Sequence, residues 1–401
     1  MALPKEITNL QCLLEHISMN NITTTSPACR ARKIVVALDS FKGSLDARAA
    51  SIALMEGIES VRPECEVRVV PVADGGEGTA DVVVAALGGG WQSVECCDPL
   101  GRPHCGQIGL CGGLAIVEAA SAVGLTLLRE EERNPMKTTS KGVGQLLAAA
   151  LAMEVERVVV GLGGSATCDG GAGLLEGLGC RLLDEEGHEV VGCGENLPRI
   201  ARIETSGMVK IDSRVEVLVD VTNPLYGPNG AAHVFAPQKG ASAADVERLD
   251  EGLRHFAEVV RSSLGVDMTS GVGAGAAGGL GGMLMALGGR GCLGGRRVVE
   301  LVGLREACRG ANLLVAGEGC VDFQTLMGKA PSEVLRCGRE CGVPTVAVGG
   351  GVRMCEALRA SGFAAIYAAT PEGTPLSEAL LPECAAANLR RVGARLALEC
   401  L

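Results

Sequence analysis

At 401 residues the chain is long enough for two domains, or for one large domain with an insertion. A net charge of -11, no long Lys/Arg block and an aromatic content of only 2% argue against a basic nucleic-acid surface and against a stacking platform for single strands. No run approaches the roughly 18 uninterrupted apolar residues of a membrane-spanning helix. The 58 glycines are about twice the usual share, and with so few aromatics the cores must be built from Val, Leu, Ala and Ile, which suits a parallel α/β protein. The 18 cysteines include no CxxC and no Cys–His cluster at zinc-ligand spacing; Cys96 and Cys97 are adjacent, and Cys337 and Cys341 share a helix face. They read as mostly reduced, core-filling thiols of an intracellular protein, and nothing in their spacing points to a metal or redox role.

In chain order, Met1–Arg32 differs in composition from the rest of the chain: a short amphipathic helix over Ile7–Ile17, then a polar Asn/Thr/Ser run. It is a poor transit peptide and lacks a secretory apolar region, so a flexible extension on a cytoplasmic protein is expected, with organellar targeting left open. Lys33–Leu38 (KIVVAL) is a buried strand that ends in Asp39-Ser40-Phe41-Lys42-Gly43-Ser44, and Leu45–Val61 has helical spacing. Val67–Val72 is a second strand, running into Asp74-Gly75-Gly76-Glu77-Gly78 and another helix. Strand, polar glycine loop and helix, repeated, is the rhythm of a parallel sheet, whose ligands sit at the carboxyl ends of strands.

From about Trp91 to Leu128 the pattern changes to short strands, which suggests a second domain. Arg133-Asn134-Pro135 and Lys137-Thr138-Thr139-Ser140 precede a helix over Lys141–Met153. Val158–Gly173 (VVVGLGGSATCDGGAG) is a β-branched strand breaking into a loop with Ser165, Thr167 and Asp169, and its glycines open the next helix. Val215–Val221 is a further strand, with Asp220 and Asn223 at its end; Lys239 follows, then a helix over Asp245–Leu264. Gly271–Gly282 reads as a glycine loop capping a helix that continues through Leu287. From Val298 the βα rhythm returns, with strands at Leu313–Ala316, Pro344–Val348 and Ala364–Ala368 and a helix from Pro331. The expectation is one α/β domain made from both chain ends (33–95 and 295–401), with an α/β domain inserted between (96–294).

The strand-end loops share glycines with Lys, Asp or Glu, the combination phosphoryl transfer needs: amides and lysines neutralise phosphate oxygens, carboxylates hold Mg²⁺, and one carboxylate takes the acceptor's proton. There is no GxxxxGK[ST], no protein-kinase signature set and no GxSxG elbow.

The segments DSFKGSL (39–45), PVADGGEGT (71–79), RNPMKTTS (133–140), GGSATCDGGAG (163–173), DVTNPLYGPNGA (220–231), FAPQKGA (235–241), GAGAAGGLG (273–281) and GEGCVDFQTLMGKAP (317–331) resemble, in order, the signature blocks of the bacterial-type glycerate kinase family. The resemblance spans nearly everything from Lys33 onward. It implies phosphorylation of D-glycerate by ATP with Mg²⁺, commonly at the 2-hydroxyl. It also implies a flavodoxin-like (Rossmann-like) parallel-sheet domain from both termini and an inserted α/β domain resembling the restriction-enzyme fold, with the active site in the cleft between them. The sequence departs from the pattern at Cys168, where Asn is usual, at Cys320, where a basic residue is usual, and at Phe323, where a small one is.

On these grounds Lys42 and Lys329 are expected on phosphates, and Asp74, Glu77, Asp169 and Asp322 are the metal or general-base candidates, with Glu318 added on the metal side. Arg133, then Lys239, would take the glycerate carboxylate, with Asn134, Thr138 and Asn223 beside them. Gly75, Gly76, Gly163, Gly164, Ser165, Thr167, Gly278 and Gly279 would cradle nucleotide phosphates. The expected partner is the small-molecule substrate, with no nucleic acid and no membrane, in a monomer or homodimer. Two other readings stay open: a metabolite-binding protein that keeps the kinase fold, favoured by Cys168 and Cys320, and a kinase for another small hydroxy acid, favoured by Phe323.

Overall fold

A computed structural model describes residues 32–400, so the expected helix over Ile7–Ile17 lies outside the described residues. In chain order the strands are β1 (Lys33–Leu38), β2 (Glu66–Val69), β3 (Gly90–Cys97), β4 (Pro103–Cys111), β5 (Leu114–Glu118), β6 (Arg157–Gly161), β7 (Arg181–Leu183), β8 (Arg202–Glu204), β9 (Val215–Leu218), β10 (Arg290–Cys292), β11 (Leu313–Val321), β12 (Thr345–Val352) and β13 (Ile366–Ala368). They form a five-stranded sheet, a six-stranded sheet and a small ribbon of β7 with β8.

The five-stranded sheet joins the two ends of the described chain. Its order is β13-β12-β11-β1-β2, and every pairing is parallel. Counted by its own strands this is 2-1-3-4-5, the doubly wound order of flavodoxin-like sheets, whose switch point lies between β1 and β11. Beyond Lys33, β1 is apolar and buried on both faces, as a central parallel strand must be. Ile34, Val36 and Leu38 point into a cluster with Leu54, Ile58, Leu389 and Leu396. Val35 and Ala37 point the other way, toward Val299, Leu304, Val334 and Val343. On the first face the helix Ala47–Val61 crosses the last helix, Pro382–Cys400, at a pair of glycines. A Cβ on Gly57 would fall 2.0 Å from the Arg390 carbonyl oxygen, and one on Gly393 would fall 2.2 Å from that of Leu54, so only glycine permits this approach.

The six-stranded sheet has the order β10-β9-β6-β5-β4-β3, antiparallel across β3-β4-β5 and parallel from β5 to β10. Two expected strands are shorter than their apolar runs. β2 stops at Val69, although Val70 and Val72 still donate to the Val36 and Leu38 carbonyls, and β9 stops at Leu218. Val298 lies in the helix Gly294–Leu301, so the βα rhythm resumes with that helix and not with a strand. The long helix Ala243–Leu264 begins two residues before its expected start, because Ser242 and Asp245 cap each other's backbone amides. Among the described residues, no helix is long and apolar enough to cross a membrane. Nine of the sixteen described cysteines are buried and all sixteen are free thiols.

Candidate active site

Asp39 follows the last residue of β1, and its amide donates to the Gly317 carbonyl, which places it beside Glu318 of β11 at the switch point of the five-stranded sheet. Asp74 lies in the loop after β2 and stands 3.9 Å from the ammonium of the exposed Lys42. Lys329 lies 3.4 Å from Glu318, whose other oxygen accepts a 2.7 Å bond from Thr325. Asp220, beyond β9 of the other sheet, accepts from the Gly294 amide at 2.7 Å. The Gly75 backbone links the two sets: its φ is +89°, and a Cβ there would meet Leu218, Asp220 and Gly294 at 3.1–3.3 Å. Four carboxylates from two sheets therefore converge around two lysines.

The crowding shows in the proton affinities. Burial, with Asp74 beside it, pushes the Asp39 carboxyl up to about 7. Burial pushes Asp220 up to about 7 as well, again with Asp74 adding to the rise. Glu318 is raised chiefly by burial, although Thr325 and Lys329 oppose the shift. A hard cation or the protons themselves would relieve this excess of negative charge. Asp39, Lys42 and Glu77 also line a cavity of about 1770 Å³, whose far wall carries Trp91, Gln107 and Glu118 of the six-stranded sheet. Asp74, Glu318, Asp220 and Lys329 lie outside that lining, so the carboxylate cluster flanks the cavity and does not fill it.

The loop after β6 abuts this cluster. A Cβ on Gly163 would fall 2.4 Å from the Gly76 Cα, and Gly164, at φ +75°, lies against the exposed Glu77 side chain. The Gly76 amide donates to Asp74. Gly75, Gly76, Glu77, Gly163 and Gly164 are thus brought near Lys42, Asp74, Glu318 and Lys329.

Other expected residues take different tasks. Asp169 is fully buried, and four donors use both of its oxygens: the Ser140 amide (2.7 Å) and hydroxyl (2.8 Å), and the Gly171 and Gly173 amides (both 3.1 Å). It ties together the starts of the helices Lys141–Ala152 and Ala172–Gly177, which corrects its expected place as metal ligand or base. Gly278 and Gly279 are buried beneath the 167–170 backbone. A Cβ on Gly278 would meet the Thr167 carbonyl oxygen at 2.2 Å and one on Gly279 the Gly170 Cα at 2.7 Å, so they support the loop from behind, which corrects their expected place in the phosphate cradle. Thr138 donates to the Ala166 carbonyl at 2.9 Å and is likewise buried. Asp322 caps the turn Phe323–Leu326 through the Gln324 amide. Asn134 accepts from the Met136 amide, and Asn223 donates to the Asn229 carbonyl.

Lys239 is buried behind the same loop, donating to the Thr167 carbonyl (2.7 Å) and to Ser165 Oγ (3.1 Å). Burial brings its ammonium down to about 8. Arg133 packs its backbone on Gly240 next door. Arg133 Nε and the Thr167 hydroxyl are buried without a hydrogen-bond partner among the described residues. Cys168 is wholly buried, its thiol pushed up to about 12 by that burial, and acts as core filler. Phe323 is exposed and does not line the cavity. Asp39 and Asp220 escaped selection from sequence, although each follows an apolar strand as Asp74 does.

The sequence profile of the glycerate kinase family matches residues 34–400. A glycerate kinase of Halalkalibacterium halodurans is 41% identical over 356 residues, covering 86% of this chain and 93% of that one. A glycerate 2-kinase of Escherichia coli is 40% identical over 324 residues, covering 79% and 85%. The crystal structure of a protein described as a glycerate kinase 2 from Salmonella typhimurium LT2 superposes with a TM-score of 0.79 at 37% identity, covering 92% of this chain and 98% of that one.

Proposed function

The chain belongs to the glycerate kinase family and is a kinase of it; from that premise we propose that it transfers the γ-phosphoryl group of ATP to the 2-hydroxyl of D-glycerate with the help of Mg²⁺. The observation that carries the reading is the convergence of Asp39, Asp74, Glu318 and Asp220 with Lys42 and Lys329 at the carboxyl ends of strands. The donor set is all oxygen, and the raised proton affinities of Asp39, Asp220 and Glu318 mark the site as short of positive charge, which fits a hard divalent cation. Asp74, Glu318 and Asp220 would hold Mg²⁺, which when bound neutralises charge on the phosphate oxygens.

The chain's own side chains supply the rest. Lys42 and Lys329 stabilise the oxygens of the group in transfer, a task that asks for fixed positive charge and no covalent chemistry. Asp39, with its carboxyl near 7 and on the cavity wall, takes the proton of the attacking hydroxyl. Arg133 and the buried charge of Lys239, behind Ser165 and Thr167, make the adjacent region attractive to the glycerate carboxylate. We read the two sheets as two domains, the inserted one of restriction-enzyme type. The boundary at 95/96 cuts β3 and that at 294/295 cuts the helix Gly294–Leu301, so we move them to Gly88-Gly89 and Leu293. A cytoplasmic monomer or homodimer completes the reading.

The test is ³¹P NMR of purified protein with ATP–Mg²⁺ and D-glycerate. A new phosphomonoester signal split into a doublet identifies the 2-phosphate, and a triplet identifies the 3-phosphate. Lys42→Ala should cut kcat by roughly 10²–10³ without a change in thermal stability. No phosphomonoester from a folded, ATP-binding sample would overturn the substrate assignment.

A further inference from the structure

We propose that Cys308, Cys337 and Cys341 form a binding site for one thiophilic d¹⁰ cation, Zn²⁺ or Cu⁺, remote from the carboxylate cluster. Their three sulfurs all lie within 4.8 Å of one another. A metal–thiolate bond of about 2.3 Å puts neighbouring sulfurs roughly 4 Å apart, so rotation about side-chain bonds closes the site with no movement of the backbone. Cys337 and Cys341 are one turn apart on the helix Ala330–Cys341, and Cys308 ends the short helix Leu304–Ala307 packed against it. Soft thiolates select such cations over the hard ones that suit the carboxylate cluster.

The surroundings fit a built site. Cys308 and Cys337 are buried among Leu304, Ala307, Val334 and Val343, which excludes water from two of the three ligands. Cys341 is half-buried and gives the cation a way in. Positive groups stand beside the cluster to offset the charge of three thiolates. Lys33 Nζ donates to the carbonyl of Arg309, next to Cys308, at 2.9 Å, and Arg305 pairs with Glu340, next to Cys341. Cu⁺ would be satisfied by the three sulfurs, whereas Zn²⁺ would take a fourth ligand from solvent on the Cys341 side. The same helix carries Lys329 at its N-cap, so a cation here would pin the far end of the element that presents a phosphate-binding lysine.

The experiment uses full-length, reduced, metal-free protein titrated with Zn²⁺ or with Cu⁺ against a chromophoric chelator, with Cd²⁺ as a spectroscopic probe. We expect one equivalent per chain for at least one of the two cations, thiolate-to-metal charge-transfer absorption with Cd²⁺, and a higher melting temperature. Cys341→Ser, at a half-buried position that tolerates the change, should weaken binding more than about 100-fold, beyond the 10–100-fold lost with a mere supporting partner. Cys105→Ser, exposed elsewhere, should leave it intact. Two results would each overturn the site: neither cation binding with one-to-one stoichiometry, or charge transfer unchanged in Cys341→Ser.

Discussion

Replacing Asp169 by asparagine keeps the shape of the side chain and removes one acceptor oxygen from a site where four donors converge. With the remaining oxygen in the Oδ2 position, the bonds from Ser140 and Gly173 survive, but the Gly171 amide then faces an NH₂ group. One buried donor is orphaned, at about 1–3 kcal/mol, and three charge-assisted bonds become neutral ones, each weaker by about 1 kcal/mol. Relief from burying a charge offsets part of this, because burial already disfavours the ionised carboxylate. A net loss of about 3 kcal/mol remains. For a cooperative unit of about 200 residues that corresponds to a fall in melting temperature of about 6–12 °C. Calorimetry reads the loss, and steady-state kinetics at 15 °C or so, well below the transition, reads function. The folded variant should keep its KM and most of its kcat. A variant that melts with the wild type but loses about 10³ or more in kcat would refute the reasoning and return Asp169 to the chemistry.

Asp39→Asn should abolish the kcat limb near pH 7 that a base with a carboxyl near 7 would give, and should lower kcat throughout. In the wild type, the native state holds the Asp39 proton up to about 7 against 3.8 when unfolded, so stability is lost as pH rises through that window. The variant should therefore gain stability relative to wild type above pH 7, as denaturant unfolding at pH 5 and 8.5 would reveal; equal gains at both would sink the idea. Lys239→Met removes an ammonium that burial brings from 10.5 to about 8, a relief of about 3 kcal/mol at pH 7, against the loss of bonds to Ser165 and Thr167 worth about 1–3 kcal/mol each. The two nearly cancel. Stability at pH 7 should stay within about 1.5 kcal/mol of wild type, and the rise in wild-type stability between pH 8 and 10.5 should vanish from its pH profile. Gly57→Ala should cost about 1–3 kcal/mol, measured by urea unfolding, because its methyl group meets the Arg390 carbonyl at 2.0 Å; an unchanged midpoint would mean the two helices separate freely.

Much of the fold was legible because local chemistry writes it plainly. KIVVAL reads as a buried strand, and the return of the βα rhythm from Val298 points to one domain made from both chain ends; the structure puts both in one parallel sheet, with that strand inside it. The site was legible as a set of loops and not as a set of side chains. Asp74 and Asp169 look alike in sequence, each an Asp beside a glycine pair, yet one faces its lysine partner and the other is enclosed by four donors. Gly163 lies in the 163–170 loop and faces Gly76, whereas Gly278 lies behind that loop against Thr167 and Cys168, and spacing carries no information about which is which. The thiol cluster was half visible, as the Cys337–Cys341 face, but Cys308 joins it only through the packing of two helices.

The crossing of the helices Ala47–Val61 and Pro382–Cys400 also sets an order of events during synthesis. β1 must wait for β11, a separation of 279 residues between Lys33 and Asn312. At about 5–20 residues per second the delay is roughly 15–55 s. Throughout that time Ile34, Val36, Leu38, Leu54 and Ile58 lack the cover that Leu389 and Leu396 later provide. The six-stranded sheet, confined to residues 90–292, can finish first. The nascent chain thus carries a completed middle while the segment from β1 through the helix Ala47–Val61 stays unsealed until the helix Pro382–Cys400 has been made. A nonsense codon just before Pro382 would spare every residue of the carboxylate cluster and still leave a chain fit mainly for chaperones and proteases.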